Sequence, residues 1–262
     1  MPTYTTLLRE LKDNILTITL HRPERRNALN PAMISELTDA LESSAQERCG
    51  VVVLTGTGAA FCSGLDLEHL KTMQNRGPME HHEDSENIAR LLRTLYDLPK
   101  PTIAAVNGPA IAGGMGLATI CDFTLSVPTA RFGYTEVRIG FIPAIVASFL
   151  IAQVGEKRAR DLLLSGRFIE AEEALALGLV TRLVEAPELM TEAHNLARML
   201  LQNSPESLRG VKRLLSEHAR ARLDRELHTA VEENADARAT ADFKEGVRAF
   251  LEKRAPVWPS LR

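Results

Sequence analysis

Between Ile15 and Leu20 the chain alternates, with Leu16, Ile18 and Leu20 set against Thr17 and Thr19, the period of a strand with one buried face. Thr5 to Arg9 reads as its partner, with Asp13-Asn14 as the turn between them. The period then lengthens: Met33, Leu37, Ala40 and Leu41 fall on one helical face behind Asn30 and Pro31, a cap and first-turn pair, which predicts a helix to about Gln46. Val51 to Thr55 is apolar without alternation, as in a strand buried on both sides, and Gly56 to Gly58 turns the chain. Ile103 to Val106 repeats that pattern and stops at Asn107-Gly108-Pro109. A helix carrying Leu117, Ala118 and Ile120 then opens on Gly113-Gly114. Phe123 to Val127 and Arg131 to Tyr134 are strand-like again, so strand, turn and helix recur.

From Glu68 to Asp97 the sequence is polar. Gln74 to Asp84, with Gly77, Pro78 and the His81-His82 pair, is expected to be variable and mobile ahead of an amphipathic helix carrying Ile88, Leu91, Leu92 and Leu95. Beyond Pro187 the pattern is helical: Pro187 to Gln202, Ser204-capped Pro205 to Glu217, Leu223 to about Asn234, and Asp242 to Arg254. No glycine-serine linker or internal repeat interrupts the chain, so the helical third should pack on the core or on a neighbouring subunit. The class is α/β. Pattern alone does not separate a doubly wound sheet from a spiral of β-β-α turns.

Composition narrows the function. The 262 residues are 45% apolar, enough for a sizeable core, and the formal charge of -3 offers no basic field for nucleic acid. The N-terminus has no cationic stretch followed by an apolar one, so no signal peptide is expected. The longest apolar tract, Ile139 to Val154, contains Pro143 and Gln153 and falls short of the roughly 20 residues of a membrane helix. Cys49, Cys62 and Cys121 are odd in number and lack C-x-x-C spacing, which points to reduced thiols and the cytoplasm. Adjacent His81 and His82 have no spaced partner, and no metal site is expected.

The glycine-led helix carries the chemistry. Its first N–H groups are unpaired and bare of side chains, which attracts negative charge. A phosphate loop is excluded because Gly114 stands where the lysine would follow Gly113, and a dinucleotide fingerprint from Gly114 and Gly116 meets Thr119 in place of its third glycine. A transient oxyanion remains, and it needs a second donor, which Val51 to Leu67 can supply where Ala60-Phe61-Cys62-Ser63-Gly64 leads into another helix start.

AFCSGLDL (60–67) and NGPAIAGGMGL (107–117) resemble the two oxyanion-hole segments of the crotonase family, the enoyl-CoA hydratases and isomerases. The likeness continues through CDF (121–123), ARFGYTEVRIGFIP (130–143), GEKRARDLLLSGR (155–167) and A-x-x-ALALGLV (171–180), in order along essentially the whole chain. The resemblance implies a spiral core of β-β-α turns over residues 1–195 and a C-terminal helical trimerisation region over 196–262, forming a homotrimer or homohexamer. It implies an acyl-CoA substrate, coenzyme A entering only as part of that substrate, and no permanently bound cofactor.

The backbone N–H groups of Cys62 and Gly113 are expected to bind the thioester oxygen, with Glu136 as general acid/base. Arg25, Ala60, Cys62, Ser63, Leu65, Asp66 and Leu67, with Phe250 and Lys253 on the last helix, are expected to contact coenzyme A. His81 or Glu83 can reach the acyl pocket from the variable region. Asp66 and Asp122 read as helix-end and turn residues. Family hydratases carry a second glutamate three residues beyond the oxyanion glycine, and this chain has Gly116 there. A lone carboxyl can shuttle a proton between two carbons, so isomerisation of a 3-enoyl thioester fits somewhat better than hydration, which would need Glu136 to do both jobs or another group, such as Tyr134 or a loop carboxylate, to place water. A decarboxylase, a thioester hydrolase, and a non-catalytic acyl-CoA- or RNA-binding member are the alternatives.

Overall fold

The alternation at the N-terminus folds as a hairpin. In the structure, a computed structural model describing residues 4–261, β1 (Leu7–Lys12) and β2 (Ile15–Leu20) pair antiparallel across Asp13 and Asn14, which take φ of 50° and 62°. Strand β1 starts later than Thr5 because Thr5 and Thr6 are held by the Glu36 carboxylate, which accepts both their N–H groups and both hydroxyls. Glu36 lies on α1 (Pro31–Gln46), where the Asn30 side chain accepts the Met33 N–H at 2.9 Å, as the cap signal predicts.

The chain then runs through β3 (Val51–Gly56), α2 (Leu67–Met73), α3 (Pro78–Asp97), β4 (Thr102–Val106), β5 (Ala110–Ile111) and α4 (Gly113–Ile120). Next come β6 (Phe123–Ser126), β7 (Arg131–Gly133), a single 3-10 turn over Glu136–Ile139, α5 (Ala144–Val154) and α6 (Glu156–Ser165). The remainder is β8 (Ile169–Glu170), α7 (Ala171–Ala176), β9 (Arg182–Leu183), α8 (Leu189–Leu201), α9 (Pro205–Ala237) and α10 (Ala241–Leu251).

One six-stranded sheet runs in the order β1-β2-β3-β4-β6-β9, parallel from β2 onward. A small sheet, β5-β7-β8, stands beside it. Strands β4 and β5 precede α4, and β6 and β7 precede α5, so successive β-β-α turns place one strand in each sheet, a spiral and not a doubly wound layer. Buried strands β3 and β4 lie at its centre and pack on α8.

Two expectations are corrected. Residues 78 to 84 begin a regular helix: Pro78 occupies its first turn, and the Glu80 carboxylate accepts the Gly77 N–H at 3.0 Å. The helix is stabilised by burying its polar start, since His81 and Ser85 are both inside. The segments Pro205 to Glu217 and Leu223 to Asn234 form one helix of 33 residues, because His-Ala-Arg-Ala-Arg between them contains no breaker. That helix packs on α3 and α5, and its Leu223, Leu227, Ala230 and Val231 enter the main core. Helix α10 packs against α2 and the Glu136 turn.

Candidate active site

The 3-10 turn after β7 sets the position of Glu136. It ends at Gly140, whose φ of 67° and whose Cβ position, 2.6 Å from the Asp242 backbone, both require glycine. The turn is thereby pressed against the start of α10, and Glu136 points into a cavity of about 500 Å³. The residue is 9% exposed, and its Oε2 is buried with no hydrogen-bond partner. Burial pushes its carboxyl up to about 7, against a weaker opposing pull from its own backbone N–H. This is a carboxyl able to give or take a proton near neutrality.

The N-terminus of α4 lines the same cavity. Ala112 precedes the helix with φ 52° and supplies no capping side chain. A Cβ on Gly114 would sit 2.2 Å from the Cys62 carbonyl oxygen, so only glycine lets α4 meet the 60–66 segment. The Ile111 N–H donates to that same carbonyl at 2.9 Å, so the two segments predicted from sequence do converge.

The donor on the second segment differs from expectation. The Cys62 N–H is spent on the Pro109 carbonyl at 3.2 Å, within a parallel bridge to Ala110, and Cys62 does not line the cavity. Its thiol, fully buried and pushed up to about 12 by desolvation, is no nucleophile. Leu65 stands at the cavity instead. Around it, the Leu29 N–H donates to Gly64 and the Asp66 N–H to Leu29, at 2.8 and 2.9 Å, a parallel bridge that turns the Leu65 N–H the other way. Gly64, at φ 84°, makes this reversal possible, and its Cβ position lies 3.5 Å from the Gly113 nitrogen. The Leu65 N–H has no acceptor among the described residues, and the Gly113 N–H is the first of its helix. The sequence signal that marks Leu65 is the glycine before it.

A model of the enoyl-CoA hydratase/isomerase family matches residues 10–260. The chain belongs to this family. A Thermus thermophilus relative, provisionally named an enoyl-CoA hydratase, is 46% identical over 94% of this chain and 97% of its own. The crotonyl-CoA hydratase of Syntrophomonas wolfei is 32% identical over 96% of each chain. Among solved structures, an enoyl-CoA hydratase/isomerase from Xanthobacter autotrophicus superposes with a TM-score of 0.89 at 30% identity, covering 96% of this chain and 98% of that one. The fold is therefore the crotonase spiral that the motifs imply.

Arg25, Ser63, Leu65, Asp66, Leu67 and Phe250 line the cavity, and Arg26 joins them. Ala60 is buried behind the segment, bonded through its carbonyl to the Asn27 amide at 2.8 Å, and Lys253 lies outside the cavity wall. Neither touches the cavity in this chain. Arg22, one of three neighbouring arginines, is structural: it pairs with Asp66 at 2.9 Å and donates to the Ala28 carbonyl. Asp66 caps α2 through the Glu68 N–H, and Asp122 pairs with Lys212 at 2.8 Å and accepts the Thr102 N–H, so both are the structural acids expected.

His81 reaches inward but stops at the Met73 carbonyl, 2.8 Å away, and neither it nor Glu83 meets the cavity. The Tyr134 hydroxyl meets the Thr119 hydroxyl at 3.2 Å, and Tyr134 does not line the cavity. At Gly116 a Cβ would lie 2.7 Å from Cγ1 of Val146, with Leu92 beyond it. The place of the second glutamate is thus filled by a valine. No group of three or more metal-ligating side chains occurs among the described residues, and no described helix is long and apolar enough to cross a membrane.

Proposed function

We propose that this protein polarises an acyl-CoA thioester between the Leu65 and Gly113 N–H groups and uses Glu136 to move a proton on the acyl chain. The reading is carried by one observation: a buried, unpartnered carboxyl shares an apolar cavity with the bare start of α4. The thioester oxygen accepts both N–H groups, and the α4 dipole adds to the stabilisation of the enolate. Loss of one such donor typically costs about 3 kcal/mol of transition-state stabilisation.

For a 3-enoyl thioester, the Glu136 carboxylate takes a proton from the α-carbon, and the electron pair moves onto the thioester oxygen as a dienolate. The protonated Glu136 then returns the proton to the γ-carbon, leaving the 2-enoyl thioester. No second carboxyl is needed. Val146 over Gly116 favours this isomerisation over a two-carboxylate hydration. Hydration is the second reading, favoured by the names of the Thermus and Syntrophomonas relatives, and would require Glu136 both to activate water and to return the proton.

The mouth, with Arg25, Arg26, Ser63 and Phe250, fits coenzyme A, whose phosphates a guanidinium grips in a fork. In this reading the enzyme works in the cytoplasm without a resident cofactor. Residues 1–195 form its catalytic core, and residues 196–262, besides adding Phe250 to the mouth, serve assembly into a homotrimer or homohexamer, a closed symmetry suited to a site at a subunit border. Glu136→Gln is the decisive variant, assayed for crotonyl-CoA hydration and 3-hexenoyl-CoA isomerisation. Both rates are expected to fall at least 100-fold; undiminished turnover in both overturns the assignment.

A further inference from the structure

The acyl half of the cavity is walled by Ile88, Leu91, Leu92, Ile142, Ile145 and Val146, and one amide interrupts it. Asn234 of α9 lines the cavity, although it is only 4% exposed. Its side chain is fixed in one orientation by partners of unambiguous chemistry. A guanidinium only donates, so Asn234 Oδ1 faces Arg238 Nη1 at 2.6 Å, with the Ser85 hydroxyl, shared with the His81 carbonyl, 3.0 Å away. A carbonyl only accepts, so Nδ2 faces the Ile142 oxygen at 3.1 Å. That bond uses one of the two amide hydrogens, and the second has no acceptor among the described hydrogen bonds.

The amide is held rigidly. Arg238, fully buried, pairs with Asp84 at 2.6 Å and lies over the Phe141 ring at 4.9 Å, and Asp84 also binds His69 at 2.7 Å. Three helices, α2, α3 and α9, are thereby tied together behind one side chain. Such a network is costly to bury and is unnecessary for a wall that only meets methylene groups. Arg238 itself lies behind Asn234 and does not line the cavity, so the Asn234 amide is what this network presents there.

We propose that Asn234 donates its free N–H to an oxygen on the acyl chain beyond the β-carbon, so that the substrates are acyl-CoAs bearing a hydroxyl, keto or carboxylate oxygen there and not plain aliphatic thioesters. The inference rests on the acyl-CoA reading above and concerns binding, not proton transfer. It is tested by titrating the wild-type protein with three saturated ligands: 5-hydroxypentanoyl-CoA, glutaryl-CoA, and hexanoyl-CoA, which replaces the hydroxyl with a methyl. The proposal expects at least one oxygenated ligand to bind roughly tenfold tighter than hexanoyl-CoA, about the value of one well-placed hydrogen bond. The arm that wins distinguishes a neutral from an anionic acyl group. Equal or tighter binding of hexanoyl-CoA than of both others overturns the proposal.

Asn234→Asp keeps an acceptor for Arg238 and Ser85 but loses the N–H. If folded by circular dichroism, it should lose the preference while still binding hexanoyl-CoA, and retention of the full preference also overturns the proposal. Should the variant not fold, the wild-type comparison alone decides. Failure of all three ligands to bind would instead sink the acyl-CoA reading.

Discussion

Glu136 joins the proposed chemistry to the stability of the fold. Its carboxyl, ordinarily near 4.5, is pushed up to about 7 by burial, so the folded protein holds a proton there that the unfolded chain has lost. The stability this contributes is fully present below about pH 4.5, declines as the pH rises, and is gone above about pH 7. Glu136→Gln never has to bury a charge. Urea titrations should therefore show the variant gaining on wild type by a few kcal/mol between pH 5 and pH 8, and a gap independent of pH would contradict the burial. Turnover that needs the carboxylate should rise through about pH 7 in a pH-rate profile. Gly114 is the second residue on which the site rests. Its Cβ position, 2.2 Å from the Cys62 oxygen, leaves no room for alanine. Gly114→Ala should lower the urea midpoint by an amount equivalent to about 1–3 kcal/mol, as overpacking does, and reduce activity along with it.

Among the elements, α1 is set by its cap and α3 by its burial. Asn30→Ala removes the acceptor for the Met33 N–H and should cost about 1 kcal/mol, measured by thermal or urea unfolding, without changing the affinity for acyl-CoA. The cap was legible in the sequence because Asn-Pro before a helical period has a local cause. The start of α3 was not. Met-Glu-His-His-Glu-Asp looks like loop, and what makes it helix lies outside it: His81 meets Met73, and Asp84 meets Arg238, the residue that ends α9. The break expected after Glu217 is absent for a related reason, since α9 stays continuous while its apolar face passes across α3 and α5.

Across the whole molecule, α9 acts as a brace between the cavity wall and the core, and the buried Arg238–Asp84 pair ties its C-terminal end to α3. Asp84→Ala leaves a guanidinium buried without its countercharge and should destabilise the fold by about 3–5 kcal/mol. The double variant Asp84→Leu with Arg238→Met should recover most of that loss in the same unfolding assay, because no unpaired charge is left. A loss as large in the double variant would show that the cluster supports the fold through shape and not through charge pairing.

By itself the sequence determined the α/β class, most strands and helices, the crotonase likeness, and the two glycine-led segments that meet at the cavity. These follow from local causes: period, capping, and glycines at turns and helix starts. Which N–H of the 60–66 segment faces the cavity was decided only in three dimensions. Bridge pairing spends the amide of Cys62 and spares that of Leu65, and a single-residue register reverses the direction of an N–H. The valine standing over Gly116 and the amide of Asn234 in the cavity wall also came from contacts between residues remote in the chain. Neither period nor composition encodes such contacts, because each depends on where another segment has already packed.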